Sequence, residues 1–368
     1  DSTFINSNLE GCFLYAGGST RTANASITGC TFKSLYSGDA TVNANAMVTS
    51  SYDGVIISNN YGDDCERNLI KLEVCNHVII DSNLYSNNRI ADFNAMQTQG
   101  GGENLTFSNN IIRNVGSGFL ISSTTTSIKN VVIDGNIIDN ITGTTGTPDG
   151  LIIDNVDGIT ITNNTIRNPY RYGIYLTLGS GNAVISSNRI IDTTGIATNS
   201  AIFISLKDST TIQAISINGN ICTNRQGVSN GIINISGNPA AVSTVRSFEC
   251  KNNAMMGVTA TNNRGFRSTS AQVFSAALIC DNISDANYEM TTSGASVVVA
   301  RNNIGTVVIL PGNTLCRSLP NATAAPVTGA YRVGDVVYTD TPVSAGYIGF
   351  VCTVAGSPGT WNSFGLIS

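Results

Sequence analysis

A short phrase recurs along the first two thirds of the chain. It consists of an alternating β-branched stretch, a small or polar residue, an asparagine and a second apolar pair. Clear copies are ASITGCTF (25–32), GVIISNNY (54–61), NLTFSNNII (104–112), GITITNNTI (158–166) and AISINGNI (214–221). The asparagines of successive copies are separated by 23, 27, 26, 28, 24 and 32 residues, running through Asn60, Asn83, Asn110, Asn136, Asn164, Asn188 and Asn220. A period of about 20 to 30 residues indicates a solenoid.

Each repeat holds a second apolar strand, often opened by glycine. The copies are AMVTS (46–50), LIKLE (69–73), AMQTQ (95–99), GFLIS (118–122), GLIID (150–154), GIYLT (173–177), AIFIS (201–205) and GIINI (231–235). Residues alternate with period two and no stretch shows helical periodicity, so each coil is built of strands and bends. The sequence therefore predicts an all-β protein, a parallel β-helix whose rungs stack about 4.8 Å apart.

Asparagine is unusually abundant and needs a physical reason. The chain of 368 residues has 44 asparagines, against 43 Asp, Glu, Lys and Arg together. Asparagine tolerates the left-handed backbone of a sharp bend, and identical amides stacked along a column can hydrogen-bond to each other. We expect the repeated asparagines to lie at bends and to form such a column.

Composition excludes several classes of protein. A net charge of −5 argues against nucleic-acid binding, and no run of about eighteen apolar residues is present to insert into a membrane. Nine cysteines fall singly and only one histidine is present, so we expect reduced cysteines, no metal site and no cofactor.

The second strands place a row of functional side chains outside the solenoid. Their second and fourth residues are apolar and predict the core, so the third and fifth point outward. Amides, carboxylates and aromatic rings in a long row suit a polysaccharide, whereas a face for packing against another subunit is the alternative. The predicted substrate-binding residues are Lys71, Gln97, Gln99, Tyr175 and, from an adjoining loop, Arg171.

Carboxylates near this row are the candidate catalytic groups. Glycoside hydrolysis needs two carboxyl groups about 5 to 9.5 Å apart, whereas Glu73 and Asp154 lie three rungs, or about 14 Å, apart. Glu66 and Asp92 have the better predicted spacing, one rung. Glu73 beside Lys71 and Gln99 is the first candidate acid or base, followed by Asp92, then Asp149 with Asp154, and Glu66 as the partner of Asp92.

The chain ends differ from the repeats. After about residue 240 the phrase becomes irregular, and a proline-containing stretch precedes a short tryptophan-containing segment. We predict a β-helix over 1–310, a linker over 311–330 and a small C-terminal β-module over 331–368.

Two resemblances follow from these motifs. The Asn-rich rungs of about 25–240 resemble the right-handed parallel β-helix of the pectate-lyase-like superfamily. The segments GDVVY (334–338) and GYIGFVCTVAGSPGTW (346–361) resemble the C-terminal module of Bacillus-type phage tailspikes, pre-neck appendage proteins and related secreted β-helix proteins. The second resemblance implies a homotrimer on a virion that binds and hydrolyses a bacterial surface glycopolymer, such as wall teichoic acid or capsular polysaccharide. The alternatives are a non-catalytic carbohydrate-binding adhesin and a secreted polysaccharide lyase.

Overall fold

The structure is a computed structural model of the chain. It describes residues 3–5, 12–15, 22–36, 45–88, 94–123, 126–143, 148–192, 200–223, 232–237, 241–256, 264–269, 273–284, 287–290, 297–301, 303, 307–309, 318–329, 331 and 333–367. These residues form strands and turns. Among them, no helix has the length and apolar character needed to cross a membrane.

The predicted all-β parallel β-helix is confirmed. Each rung has three strands that pair in parallel with the rungs before and after it; Met47–Ser50, Tyr52–Ser58 and Tyr61–Asp63 form one such rung. Because the corresponding strands of all rungs pair with each other, the solenoid has three faces, which we call the front sheet, the rear sheet and the short-strand sheet.

The front sheet contains the strands predicted from the second apolar stretch of each repeat, which are Met47–Ser50, Ile70–Glu73, Asn94–Gln99, Ser117–Ser122, Ile202–Leu206 and Ile233–Gly237. It also contains strands outside that predicted set, which are Cys12–Tyr15, Arg264–Thr269, Asn287–Met290 and Val307–Ile309. The rear sheet contains Thr22–Thr28, Tyr52–Ser58, Asn76–Asp81, Glu103–Ser108, Ile128–Asp134, Thr211–Asn218, Thr244–Lys251, Val273–Phe274, Ala276–Cys280 and Val297–Arg301. Two longer strands, Leu151–Thr162 and Ile174–Ser186, run through both sheets and turn the corner between them.

The short-strand sheet closes the third side. Its strands are Thr3–Ile5, Thr31–Lys33, Tyr61–Asp63, Leu84–Ser86, Ile111–Val115, Ile137–Ile141, Thr165–Arg167, Arg189–Ile191, Ile221–Thr223, Ala254–Met256 and Ile283–Ser284.

Inward side chains of the three sheets stack into continuous apolar columns. In the rear sheet, Ile57, Ile80, Phe107, Ile133 and Ile161 are neighbours in register and all are buried. Alternation makes this possible, since every second residue of a strand points to the same side. Burial of these columns supplies the main apolar stabilisation of the solenoid.

Asparagines form a second buried column, which we call the amide ladder. In each step the side-chain amide of one asparagine donates to the side-chain oxygen of the next, at 2.9 to 3.0 Å. The ladder runs through Asn60, Asn83, Asn110, Asn136, Asn164, Asn188, Asn220, Asn253, Asn282 and Asn303. The predicted stacking of amides is thus confirmed, and it continues beyond the regular part of the sequence repeat.

The predicted backbone role of these asparagines is wrong. The left-handed residue of each bend is the one before the ladder asparagine: Asn59, Ser82, Asn109, Gly135, Asn163, Ser187, Gly219, Asn252 and Asp281 all have positive φ. The ladder asparagines are absent from that set because their buried amides need the geometry of the neighbouring strand. Two adjacent positions therefore have different roles. The residue before the ladder asparagine makes the bend, and the ladder asparagine hydrogen-bonds to buried backbone groups.

Residues near the C-terminus form a separate four-stranded sheet. Its strands are Ser318–Ala322, Val336–Thr339, Tyr347–Val354 and Thr360–Leu366; the first pair is parallel and the other two pairs are antiparallel. The first strand lies inside the segment 311–330 that we expected to be a linker, so part of that segment is β-structure. The division into three regions stays a prediction.

The cysteines of the described residues are free thiols. Cys65, Cys75, Cys222, Cys250, Cys280 and Cys352 are buried, while Cys12 and Cys30 are partly exposed. Burial raises the pKa of Cys65 to about 12, so this thiol stays protonated and unreactive near neutral pH.

The amide ladder predicts a large cost for removing one rung of it. Asn136 accepts from the backbone and side-chain N–H groups of Asn110 and donates to Asn164 and to the carbonyl of Phe107. Asn136→Ala leaves these buried groups unpaired, and we expect the free energy of unfolding in urea to fall by about 3 kcal/mol or more. The control is Asn140→Gly, which removes an exposed amide at a positive-φ position and should cost under about 1 kcal/mol. Equal losses for both variants would contradict the role of the ladder.

Candidate functional site

The outward positions of the front sheet align as the sequence predicts. One column runs through Val48, Lys71, Gln97, Leu120, Ile152, Tyr175 and Phe203, which are paired rung by rung. A parallel column runs through Ser50, Glu73, Gln99 and Ser122, and it resumes with Asp154, Thr177 and Ser205. The two columns define what we call the front face, in which Val48, Ser50 and Ile152 are buried.

The first half of the front face is polar. The Lys71 ammonium lies 2.7 Å from the Glu73 carboxylate, with the two side chains 17% and 34% exposed. One rung further, the amide of Asn68 donates to the side-chain oxygen of Gln97 at 3.0 Å, and Gln99 is exposed. Alternation does not reveal Asn68, because it precedes its strand; only the contact with Gln97 places it here. A carboxylate, an ammonium and three amides thus lie together.

The second half of the front face is aromatic. The rings of Tyr175 and Phe203 stack with centroids 5.5 Å apart and planes at 7°. Tyr172, from the turn before the Tyr175 strand, packs against both rings, at 5.4 Å from Tyr175 and 5.0 Å from Phe203. All three side chains are partly exposed. We call these three residues the aromatic shelf.

A buried carboxylate holds the shelf in place. Asp149 is fully buried and accepts two hydrogen bonds from the Arg171 guanidinium, at 3.0 and 2.6 Å, and one from the backbone N–H of Tyr172, at 2.9 Å. The guanidinium in turn lies over the Tyr172 ring, 4.9 Å from its centroid, and 5.8 Å from that of Tyr175. Asp149 therefore positions both the Arg171 guanidinium and the backbone of Tyr172, and the Tyr172 ring depends on both.

The same contacts determine the protonation states of the shelf. Hydrogen bonds to Asp149 raise the pKa of Arg171 above its usual value, so the guanidinium stays charged. Burial raises the pKa of the Tyr172 hydroxyl, so that ring stays neutral. The shelf therefore presents the neutral Tyr172 ring beside one fixed cation at ordinary pH.

The remaining candidate carboxylates are dispersed. Glu66 is buried, and so is Asp149, although we expected both to enter the front face from loops; the chain closes over them. Asp92 lies outside the described residues. The strand of Glu73 pairs with that of Gln99, which pairs with that of Ser122, and this strand pairs with that of Asp154. Glu73 and Asp154 are therefore three rungs apart. At about 14 Å these two are too far apart to form a hydrolase pair.

The anchoring role of Asp149 can be measured directly. Asp149→Asn keeps the side-chain shape but removes the negative charge that the Arg171 guanidinium binds. Because Arg171 is 28% exposed, we expect a moderate loss, about 2 kcal/mol in the free energy of unfolding, together with weaker near-ultraviolet circular dichroism from the tyrosines. Glu73→Gln, which breaks the more exposed Lys71 pair, is the control and should cost under about 1 kcal/mol. An unchanged tyrosine signal in Asp149→Asn would contradict the anchoring role.

Comparisons with known proteins concern the fold. A family model described as "Right handed beta helix region" matches residues 1–146. No curated protein sequence matches the chain. Among solved structures, the chain is similar to PfbA, a surface adhesin of Streptococcus pneumoniae, with 10% identity and a TM-score of 0.44 over 99% of this chain and 85% of that one. It is also similar to the Siphovirus 9NA tailspike receptor binding domain, with 12% identity and a TM-score of 0.24 over 99% and 80% of the two chains. The family model agrees with the parallel rungs of the structure, and the fold is a right-handed parallel β-helix.

Proposed function

We propose that this protein binds a bacterial surface glycopolymer along the front face. The observation that carries the proposal is the aromatic shelf: the rings of Tyr175 and Phe203 lie on the same outward column as Lys71 and Gln97, and Tyr172 packs against both from the adjoining turn. Sugar rings stack their C–H faces on aromatic planes, and their hydroxyls pair with carboxylates and amides. The front face offers both kinds of partner to one chain of sugars.

The dimensions of the front face favour a polymer over a small ligand. Lys71 and Phe203 are five rungs apart in one column, which corresponds to about 24 Å. A row of this length contacts several consecutive sugar units. Between the two halves lies the partly exposed Leu120, which offers an apolar contact for sugar C–H groups, while its register partner Ile152 is buried.

Wall teichoic acid and capsular polysaccharide are the polymers we propose, with the virion of a phage as the site of action and a secreted protein as the alternative. The resemblance of residues 334–338 and 346–361 to the C-terminal module of phage tailspikes favours this setting. A non-catalytic adhesin uses the same front face, because binding requires only the shelf and the polar group.

Removal of the shelf tests binding. We expect Tyr175→Ala and Phe203→Ala each to weaken binding to purified cell-wall polymer at least about tenfold, since each removes a stacked ring. Biolayer interferometry with immobilised polymer measures the effect. The matched control is Thr165→Ala, a partly exposed residue of the short-strand sheet, which should bind like the unaltered protein. Full binding by Tyr175→Ala would refute the assignment of the front face.

Hydrolysis of the polymer is the second function we propose, because Glu73 is a partly exposed carboxylate beside a cation and two glutamines. We expect Glu73→Gln and Asp92→Asn to abolish shortening of the polymer, measured by size-exclusion chromatography of the products, while both variants still bind it. Asp154→Asn should retain cleavage, since its carboxylate is too distant to assist Glu73. Intact polymer after prolonged incubation with the unaltered protein would leave the adhesin as the function.

We also propose that the protein acts as a homotrimer. The rear sheet supports this, because its outward column of Ile56, Ile79, Thr106 and Val132 is β-branched, with Ile56 and Ile79 each 46% exposed. Such a stripe is a surface that other copies of the chain can cover. Light scattering should give three times the mass of one chain, and the mass of a single chain would contradict the trimer.

A further inference from the structure

The outward column of the rear sheet changes character near its C-terminal end. From Ile56 to Val184 the column is β-branched, and from there the register continues to Ser216, Glu249 and Leu278. A serine and a glutamate therefore take the place of β-branched side chains on two successive rungs. This change lies on a different sheet from the front face.

A depression opens at the point of this change. It has a volume of about 520 Å³ and is lined by Ala214, Ile215, Ser216, Ser247, Phe248, Glu249, Ala276, Ala277 and Leu278. Its floor consists of the small side chains of Ala214, Ser247 and Ala276 on three successive rungs. Ala214 is the register partner of Ser247, and the next rung is in register because Phe248 pairs with Ala277. The floor is about 10 Å long. Pockets that hold small molecules have volumes of about 300 to 1,000 Å³.

Ser216 and Glu249, which line the depression, belong to a connected set of polar groups that continues beside it to Asn218 and Lys251. Glu249 receives a hydrogen bond from Lys251 at 2.6 Å on one oxygen and bonds from Asn218 at 3.2 Å and Ser216 at 3.4 Å on the other. The side-chain oxygen of Asn218 is buried and has no hydrogen-bond partner in the part of the chain that the structure describes. Carboxylate, amide, hydroxyl and ammonium groups thus meet at the edge of an apolar floor.

The charges of these polar groups select among ligands. Of the nine residues that line the depression, only Glu249 is charged. The hydrogen bond from Lys251 lowers the pKa of Glu249, so the carboxylate is ionised at neutral pH and accepts hydrogen bonds. With the Lys251 ammonium 2.6 Å away, the pair carries no net charge, so it offers hydrogen bonds to hydroxyl groups and gives an acidic sugar no net attraction. A neutral, hydroxyl-rich ligand with an apolar face is the best match.

We infer that this depression is a second carbohydrate subsite, which takes one or two neutral sugar units on the rear sheet. This inference rests on the proposed function, because the sugar units belong to the glycopolymer that we propose for the front face. Sugar hydroxyls pair with Glu249, Asn218 and Lys251, and the C–H face of the ring lies on Ala214 and Ala276. Two subsites on separate sheets raise the affinity for long polymer above that for short oligosaccharides, because the second contact is intramolecular.

Nuclear magnetic resonance of isotope-labelled alanine methyl groups tests the subsite. The methyl groups of Ala214 and Ala276 lie in the depression and report its occupancy. We expect cellotetraose or chitotetraose to shift both signals in a saturable way up to about 10 mM, whereas trigalacturonate should not. The full chain is used throughout.

Variants separate this inference from the proposed function. Glu249→Gln and Ala276→Leu should each weaken the response at Ala214 at least about fivefold, and Thr165→Ala, on the short-strand sheet, should leave it unchanged. Tyr175→Ala should also leave it unchanged, although it weakens polymer binding at the front face. Absence of shifts at Ala214 and Ala276 with both neutral probes would overturn the subsite, and so would an undiminished response in Glu249→Gln. If the subsite responds while Tyr175→Ala binds polymer fully, the front face is refuted and the subsite stands.

Discussion

The satisfaction of buried amides is the constraint on which the solenoid depends. Each bend between two strands of a rung buries backbone N–H and C=O groups that do not pair with the flanking strands. An unpaired buried group costs about 1 to 3 kcal/mol. Each ladder asparagine covers a carbonyl of the preceding rung and binds the asparagine of the next, as Asn136 does for Phe107 and Asn164. Rungs are therefore coupled in series, and the register of one rung sets that of its neighbour.

This coupling has a functional consequence, because it fixes the spacing of side chains on the surface. Outward residues of successive rungs lie about 4.8 Å apart, whatever their identity. Tyr175 and Phe203 stack for this reason, since they are register partners on adjacent rungs. A third ring, Tyr172, comes from a turn and has no such support from strand pairing. Its position depends on the hydrogen bond from its backbone to the buried Asp149.

Much of the candidate site was predictable because it lies on strands. The alternation in LIKLE and GIYLT places Lys71, Glu73 and Tyr175 outside, and pairing in parallel then aligns them. Residues in the connections were not predictable in this way. Glu66 and Asp149 were expected at the surface but are buried, because the path of a loop depends on tertiary contacts that periodicity does not encode. Asn68 belongs to the front face for the same reason, through its contact with Gln97.

The sequence by itself determined the fold class, the repeated unit of strands and bends, and the inward or outward direction of strand residues, because these follow from local periodicity and from the repeat. Only the tertiary structure decided which residues make the bends and which make the ladder, since both positions are rich in asparagine and differ in burial. It also decided that Asp149 supports the shelf from inside and that a depression forms beside Glu249. Both depend on how residues from separate rungs meet in space, and no spacing within one repeat contains that information.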